Sequence, residues 1–342
     1  MSAAPQTNPS QTKFFEVRVS SLMVGRVLHH DVYLLISGQP VLFRKKGDVL
    51  AADRAKQLRE HAAAKLLIPE DQRQAYMDSL KSAVKDPEMK TDDKSKIIKE
   101  TAYVHIHDLF TKKDIQPVVS EAKNLVEDMV SFVSSDVAAV ASLMGLSAHD
   151  YYTYNHSVDV AVYSIVIAKK VYGSDNREIL IQAGLGGLLH DIGKRRVDLG
   201  IINKKGALTA EEWAEIKNHP GYGMEALRDL QSVPEESKCI VHQHHENFDG
   251  TGYPNGLGGE QIHKLARVVA IADVFDALTT KRSYHDAISP NEALNIMHGM
   301  QPGKFDPNLF KSFDQKFSPK TGVTLASDFD ACSPQHQKLI KK

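Results

Sequence analysis

The sequence predicts a mainly α-helical protein, with a small β-rich domain towards the N-terminus and a larger all-α domain after it. Short runs rich in β-branched and aromatic residues, separated by glycines, lie between Phe14 and about Gly47. A charged segment follows, and from Ile115 to about Ser318 apolar residues recur with helical periodicity. A length of 342 residues gives two domains room for a core each.

The composition narrows the class of protein without naming a partner. The chain has 42 Lys and Arg against 43 Asp and Glu, a net charge of −1, so no general field attracts DNA or anionic lipid. Cys239 and Cys332 fit neither a disulfide framework nor a zinc knuckle. The first dozen residues lack a signal-peptide pattern, and no apolar run reaches membrane-spanning length. We expect a cytoplasmic protein that neither binds DNA nor inserts into membranes.

The β-rich part is expected to be a small regulatory domain with mixed α and β elements. Its predicted strands lie near Phe15–Val19, Tyr33–Ile36 and Pro40–Phe43, and helix-forming residues predict a helix over Ala51–Leu67. The predicted segments of the whole chain are a flexible arm (1–12), this domain (13–75), a charged helical linker (76–118), the all-α domain (119–318) and a flexible tail (319–342).

The strongest chemical signal follows an apolar helix. The run from Ile179 to Leu189 leads directly into His190, Asp191 and, three residues later, Lys194. A carboxylate in such surroundings is costly unless a metal or a base neutralises it. Lys194 would then meet an anion beside the metal. An ordinary helix end is the alternative interpretation.

A second acid lies in an equally apolar helix. Asp273 is flanked by apolar residues, and Asp276 shares its helix face three positions later. An N-cap or an exposed stripe is the alternative, but no helix start lies nearby. We therefore predict that Asp273 belongs to a functional site.

Further histidines stand at predicted helix ends. Thr209 to Glu212 predicts a capping box whose helix ends near His219, because Pro220 disfavours a helical conformation at the preceding residue. His244 and His245 point about 100° apart on a helix, so they share one centre only at a helix end or in a dinuclear site. His156, taken alone, is more often a buried core histidine than a ligand.

In this order and nearly this spacing, the residues resemble the HD-GYP family of HD-domain phosphohydrolases. The resemblance covers about residues 120–315 and implies a helical bundle around a metal centre that hydrolyses the bacterial messenger cyclic di-GMP. Its motif residues are His190-Asp191, Lys194, His219, His244-His245-Glu246, Asp249-Gly250-x-Gly252-Tyr253-Pro254 and Asp273.

The resemblance implies two metal ions that share one carboxylate. The first would be held by His156, His190, Asp191 and Asp273, and the second by Asp191, His219, His244 and His245. Mixed imidazole and carboxylate ligands suit transition metals. In this family iron is the first expectation and manganese the second.

The implied reaction is attack of a bridging hydroxide on a phosphodiester. Asp191 and Lys194 are the expected catalytic residues. Lys194 and Arg282 would bind the nonbridging phosphate oxygens, and the loop after the paired histidines would shape the substrate side. The expected substrate-binding residues are Lys194, Gly252, Tyr253, Asp276 and Arg282.

Two departures from the family pattern bear on the site. Tyr152 stands where some members have a Glu that holds a third metal, so we expect two metals. Ser283 and His285 stand where a proline and a basic residue are usual, which makes one phosphate contact pH-dependent, since histidine titrates near neutrality.

Three activities follow from these features. The first is hydrolysis of cyclic di-GMP to pGpG, with onward cleavage to GMP left open. The others are hydrolysis of another nucleotide, and a cyclic di-GMP sensor or interaction protein with little turnover. The partners expected are cyclic di-GMP and signalling proteins, and self-association is left open.

Overall fold

The computed structural model describes residues 12–60, 66–135, 137–145, 152–204, 206–280 and 287–317. The chain divides into two compact units between Val104 and His105. The predicted arm (residue 12 apart) and the predicted tail lie outside the described residues, and the predicted domain boundaries stay a prediction. Among the described residues, no helix combines the length and the apolar character needed to cross a bilayer.

The first unit contains a four-stranded antiparallel sheet. Its strands follow the order β1-β4-β2-β3. They are β1 (Phe14–Val17), β2 (Val32–Ile36), β3 (Gln39–Arg44) and β4 (Leu66–Pro69). The three strands predicted from β-rich runs are therefore confirmed, with shifts of one or two residues at their ends.

The fourth strand corrects the predicted helix over Ala51–Leu67. Helix α1 (Ala52–Glu60) ends earlier, and Leu66 begins β4. β4 pairs with β1 on one side and β2 on the other, and Leu66 and Ile68 are fully buried. A short apolar run is compatible with helix or strand, and here pairing on both sides decides for the strand.

Two helices follow the sheet through the segment predicted as a linker. They are α2 (Arg73–Lys85) and α3 (Thr91–Thr111). Asp78, Lys85, Asp92 and Asp93 are exposed, whereas each helix also buries apolar side chains, among them Tyr76, Leu80 and Ile98. The helices are thus amphipathic, and in the first unit they contribute to a core.

The described residues of the second unit form helices and loops, so the predicted mainly α fold class is confirmed. Its helices are α4 (Gln116–Ser135), α5 (Val137–Gly145), α6 (Tyr152–Tyr172), α7 (Arg177–Leu189), α8 (Leu199–Ile202), α9 (Ala210–Lys217), α10 (His219–Leu227), α11 (Glu235–Gln243), α12 (Lys264–Thr279), α13 (Pro290–Gly299) and α14 (Pro307–Phe317). The predicted capping box on α9 is confirmed, with Thr209 as N-cap and Glu212 as its partner.

Helix α7 is the centre of this unit. It packs against α4, α6, α11 and α12, and its last six residues are all buried. Gly186 lets α11 approach, since a Cβ there would lie 2.3 Å from Ile240 Cδ1. The C-terminal end of α7 is therefore held in the interior, where it delivers the next residues to the site.

Candidate metal centre

The site begins where α7 ends. His190 follows the helix directly, and Asp191 precedes a 3₁₀ helix over Ile192–Arg196. Gly193 allows this turn to press against the start of α10, because a Cβ would lie 1.9 Å from the His219 carbonyl oxygen. The turn thereby brings His190, Asp191 and His219 into one buried cluster.

Three histidines are oriented in the same way. His190, His219 and His244 each place Nδ1 within 2.7–2.9 Å of the backbone carbonyl three residues earlier. A carbonyl only accepts, so in the neutral ring the proton is on Nδ1. Nε2 then carries a lone pair, which is the form that binds a metal ion.

These lone pairs face one another across short distances. Nε2 of His219 lies 3.3 Å from Nε2 of His244 and 3.3 Å from Asp191 Oδ1. Nε2 of His190 lies 3.3 Å from Asp191 Oδ2. Within the described residues, His190 Nε2 and Asp191 Oδ1 are buried without a hydrogen-bond partner. Converging acceptors repel unless a cation lies between them, so the arrangement fits a metal.

His156 lies between two carboxylates. Its Nδ1 is 2.6 Å from Asp276 Oδ2, and its Nε2 is 3.1 Å from Asp273 Oδ1. Asp276 is 1% exposed, and its other oxygen accepts a hydrogen bond from the Thr280 hydroxyl at 3.0 Å. Asp276 thus holds His156 from behind, in the manner of the carboxylates that orient metal-binding histidines.

The protonation states suit metal binding at neutral pH. Burial raises the pKa of Asp191, but Lys194 and His190 outweigh it and hold that pKa well below its usual value. Burial also raises the pKa of Asp273, but the adjacent His156 outweighs burial and holds that pKa well below its usual value. Burial lowers the pKa of His219 to about 4. Charged acids and a neutral imidazole are the ligand forms.

The paired histidines at the end of α11 complete the cluster. Burial strongly lowers the pKa of His244, and the neighbouring His190 adds to this effect. Burial also strongly lowers the pKa of His245, with a further contribution from His244. Nδ1 of His245 lies 4.0 Å from Asp273 Oδ2. The end of α11 therefore lets both neighbours face one site, as the sequence requires for adjacent histidines.

The ammonium of Lys194 lies beside the carboxylate of Asp191. Lys194 Nζ lies 2.6 Å from Asp191 Oδ2, and its side chain is 31% exposed. The ammonium offers three donors, so it has capacity for an incoming anion as well.

The loop after the paired histidines folds back onto them. The Tyr253 amide donates to the His245 carbonyl at 3.2 Å, and the centroids of the two rings lie 4.7 Å apart with the ring planes tilted by 30°. The buried Glu246 carboxylate accepts from the Asn255 and Leu257 amides at 2.7 and 3.0 Å. Gly252 is required by the close approach, since a Cβ would lie 2.2 Å from the Asn247 amide nitrogen.

The ligand atoms fall into two groups that share one residue. The first comprises Asp191, His219, His244 and His245; the second comprises His156, His190 and Asp191. Asp273 adjoins the second group through His156. The structure thus brings together all seven residues predicted as ligands.

Of the other residues predicted to belong to the site, some lie in the described part of the chain and some lie outside it. Lys194, Gly252 and Tyr253 lie at the cluster, whereas Arg282, Ser283 and His285 and the Tyr152 side chain lie outside what the structure describes. Sequence reasoning missed the loop-anchoring contacts of Glu246 and the placement of Asp276 behind His156. The one signal for Asp276 was its spacing from Asp273 on a shared helix face.

Comparisons with known proteins agree with this geometry. Residues 146–309 match the HD domain family. The chain is 40% identical over 194 residues to a Pseudomonas aeruginosa protein named cyclic di-GMP phosphodiesterase PA4108, covering 57% of this chain and 46% of that protein. It is 37% identical over 165 residues to the 3′3′-cGAMP-specific phosphodiesterase 3 of Vibrio cholerae, covering 48% and 35%. The chain therefore spans less than half the length of either relative.

A solved structure shows a similar fold. Bd1817, described as an HDG“Y”P protein from Bdellovibrio bacteriovorus, matches with a TM-score of 0.71 at 23% identity, covering 89% of this chain and 99% of that one. At this identity the likeness speaks for the fold, and it confirms the expected HD-type helical bundle.

Proposed function

We propose that this protein is a metal-dependent phosphodiesterase of the HD-GYP type that hydrolyses cyclic di-GMP to pGpG. The proposal is supported by the match of residues 146–309 to the HD domain family and by the 40% identity over 194 residues to a protein named cyclic di-GMP phosphodiesterase. The observation that carries the proposal is a series of facing lone pairs, with 3.3 Å from His190 Nε2 to Asp191, from Asp191 to His219 Nε2, and from His219 Nε2 to His244 Nε2. Such an arrangement is stable when a cation neutralises it.

Two metal ions fit the two groups of ligand atoms. His156, His190, Asp191 and Asp273 would hold one, and Asp191 with His219, His244 and His245 would hold the other. When bound, a metal pair lowers the pKa of water towards neutrality and neutralises phosphate charge. Imidazole and carboxylate donors support a transition metal, and iron followed by manganese stays our proposal.

The protein's own groups supply binding and orientation. Lys194 is close enough to Asp191 to hold it, and it is exposed enough to donate to a nonbridging phosphate oxygen. Burial raises the pKa of Tyr253, so its hydroxyl stays a donor at neutral pH. Asp276 has both carboxylate oxygens engaged, so we propose that it positions His156 rather than contacting substrate. A phosphate contact by Arg282 stays part of the proposal.

Turnover with a matched pair of variants tests the activity. We expect metal-loaded protein, kept reduced, to convert cyclic di-GMP to pGpG, and Asp191→Ala to lose at least about a hundredfold in kcat/KM because it removes the shared ligand. Asp229→Ala, at an exposed acid outside the site, should retain activity. Product analysis by chromatography checks this, and equal turnover by both variants would refute it.

Metal content gives an independent test. Elemental analysis of protein purified without chelator is expected to find about two transition-metal ions per chain, since two groups of ligands share Asp191. Asp191→Ala should lower this content and Asp229→Ala should not. A fully active protein without metal would contradict the proposal.

A second substrate has its own support. Similarity to a Vibrio cholerae protein named as 3′3′-cGAMP-specific makes that mixed dinucleotide the main competitor. Assays with cyclic di-GMP and 3′3′-cGAMP at equal concentration distinguish the two candidate substrates, because the true substrate should have the higher kcat/KM. Binding of cyclic di-GMP without turnover of either compound would instead support a sensor.

A further inference from the structure

A lysine remote in sequence lies against the loop that follows the paired histidines. The segment between α13 and α14 pairs with that loop, because the Phe248 amide donates to the Lys304 carbonyl at 3.1 Å and the Asp249 amide to the Gly303 carbonyl at 2.9 Å. Gly303 permits the contact, since a Cβ would lie 2.4 Å from Asp249 Oδ2. Two backbone hydrogen bonds thus hold the segment that contains Lys304 against this loop.

The ammonium of Lys304 is held close to the metal centre. Nζ donates to Asn247 Oδ1 at 3.1 Å, and Asn247 is two residues from His245. Burial lowers the pKa of Lys304, while the carboxylates of Asp273 and Asp249 oppose the change. The two carboxylates therefore favour the charged form of Lys304.

The Lys304 ammonium can donate further hydrogen bonds to a ligand. Within the described residues its one hydrogen bond goes to Asn247, although an ammonium has three donors. Of the nearby Asp249 carboxylate, Oδ1 accepts hydrogen bonds from the Thr251 amide and hydroxyl at 2.9 and 2.6 Å. Lys304 is also half-buried, so part of it remains accessible to a ligand.

We propose that Lys304 is a substrate-binding residue whose ammonium contacts a nonbridging phosphate oxygen of the cyclic dinucleotide. The inference rests on the proposed function, because it assumes a phosphodiester at the metal centre. Lys194 lies beside Asp191, whereas Lys304 is bound to Asn247 in the loop that follows His245, so the two ammonium groups approach from different elements. Two separate cations match a substrate that carries two phosphodiester charges.

Kinetics of paired variants test the assignment. Lys304→Gln removes the charge, Lys304→Arg keeps it, and Lys311→Gln removes an exposed charge from the neighbouring α14. We expect Lys304→Gln to raise KM for cyclic di-GMP about tenfold, with kcat within about twofold and metal content unchanged. Lys304→Arg should restore most of the affinity, and Lys311→Gln should behave as wild type.

The outcomes separate this inference from the proposed function. If wild-type protein hydrolyses cyclic di-GMP but Lys304→Gln leaves KM unchanged, or lowers metal content, the assignment of Lys304 is refuted while the activity stands. Bis(4-nitrophenyl) phosphate, which has a single phosphodiester, distinguishes the two phosphates. A KM increase for both substrates places Lys304 at the cleaved phosphate, and an increase for cyclic di-GMP alone places it at the other; either supports the proposal.

Discussion

The position of one proton on each histidine ring determines what the site can bind. Backbone carbonyls hold the proton on Nδ1 of His190, His219 and His244, and the carboxylate of Asp276 takes the same place for His156. Only the last partner is a side chain that mutation can change. Asp276 is therefore the residue at which ring orientation can be tested directly.

Replacing Asp276 with Asn is expected to weaken metal binding about tenfold to a hundredfold. An amide is a weaker acceptor than a carboxylate, and it permits the tautomer that turns an N–H towards the metal. Titration of metal-free protein with manganese, followed by calorimetry, measures the change. Asp229→Asn serves as the control, and unaltered affinity in the Asp276 variant would show that the contact does not orient His156.

The helix that delivers the site depends on close packing. α7 is buried along its last turns, and Gly186 lies where a side chain would overlap Ile240 of α11. The loop after α11 is held by Glu246, which accepts two backbone amides. The helix is thus positioned by a neighbour distant in sequence, whereas the loop is held by amides only 9 and 11 residues after Glu246.

Gly186→Ala is expected to lower the free energy of unfolding by about 1–3 kcal/mol, because the added methyl overpacks against Ile240. Gly221→Ala in α10 is the matched control, since nothing lies within 4 Å of a Cβ there. That change should be neutral or stabilise by up to about 1 kcal/mol through helix propensity. Urea unfolding of both variants checks the pair, and equal effects would contradict the packing argument.

At the scale of the whole molecule, the two units have separate pH-sensitive groups. In the first unit His30 is 2% exposed, packs edge-on against Tyr76 at 5.0 Å, and has no hydrogen-bond partner on either ring nitrogen among the described residues. Burial, with a smaller effect of His29, lowers the pKa of His30 to about 4. The neutral ring is therefore the folded form.

Stability is expected to fall on acidification through this residue. The unfolded chain binds a proton near pH 6.5 and the folded chain only near pH 4, so the contribution is complete above pH 6.5 and declines below it. The loss reaches about 2 kcal/mol at pH 5. His30→Phe should remove this part of the dependence, whereas His29→Gln, at an exposed position, should not. Denaturant unfolding at pH 7 and pH 5 gives the difference.

Much of the site was predictable from local sequence. His190, Asp191 and Lys194 follow an apolar run, His219 precedes a proline, and Asp273 stands alone among apolar residues. For His190, Asp191 and Asp273 the signal arises because a polar group among apolar residues requires a partner, and for His219 because a proline disfavours a helical conformation at the preceding residue. The helical character of the second unit was predictable as well, since periodicity is a local property.

Tertiary structure alone decided the remaining features. Leu66 to Pro69 became a strand because β1 and β2 offered it partners on both sides, and Lys304 reached Asn247 across 57 residues of sequence. Asp276 turned towards His156, 120 positions away, rather than towards an open site. Composition and spacing establish which side chains need a partner, but which partner they meet depends on how distant segments pack, and that information is not local in the chain.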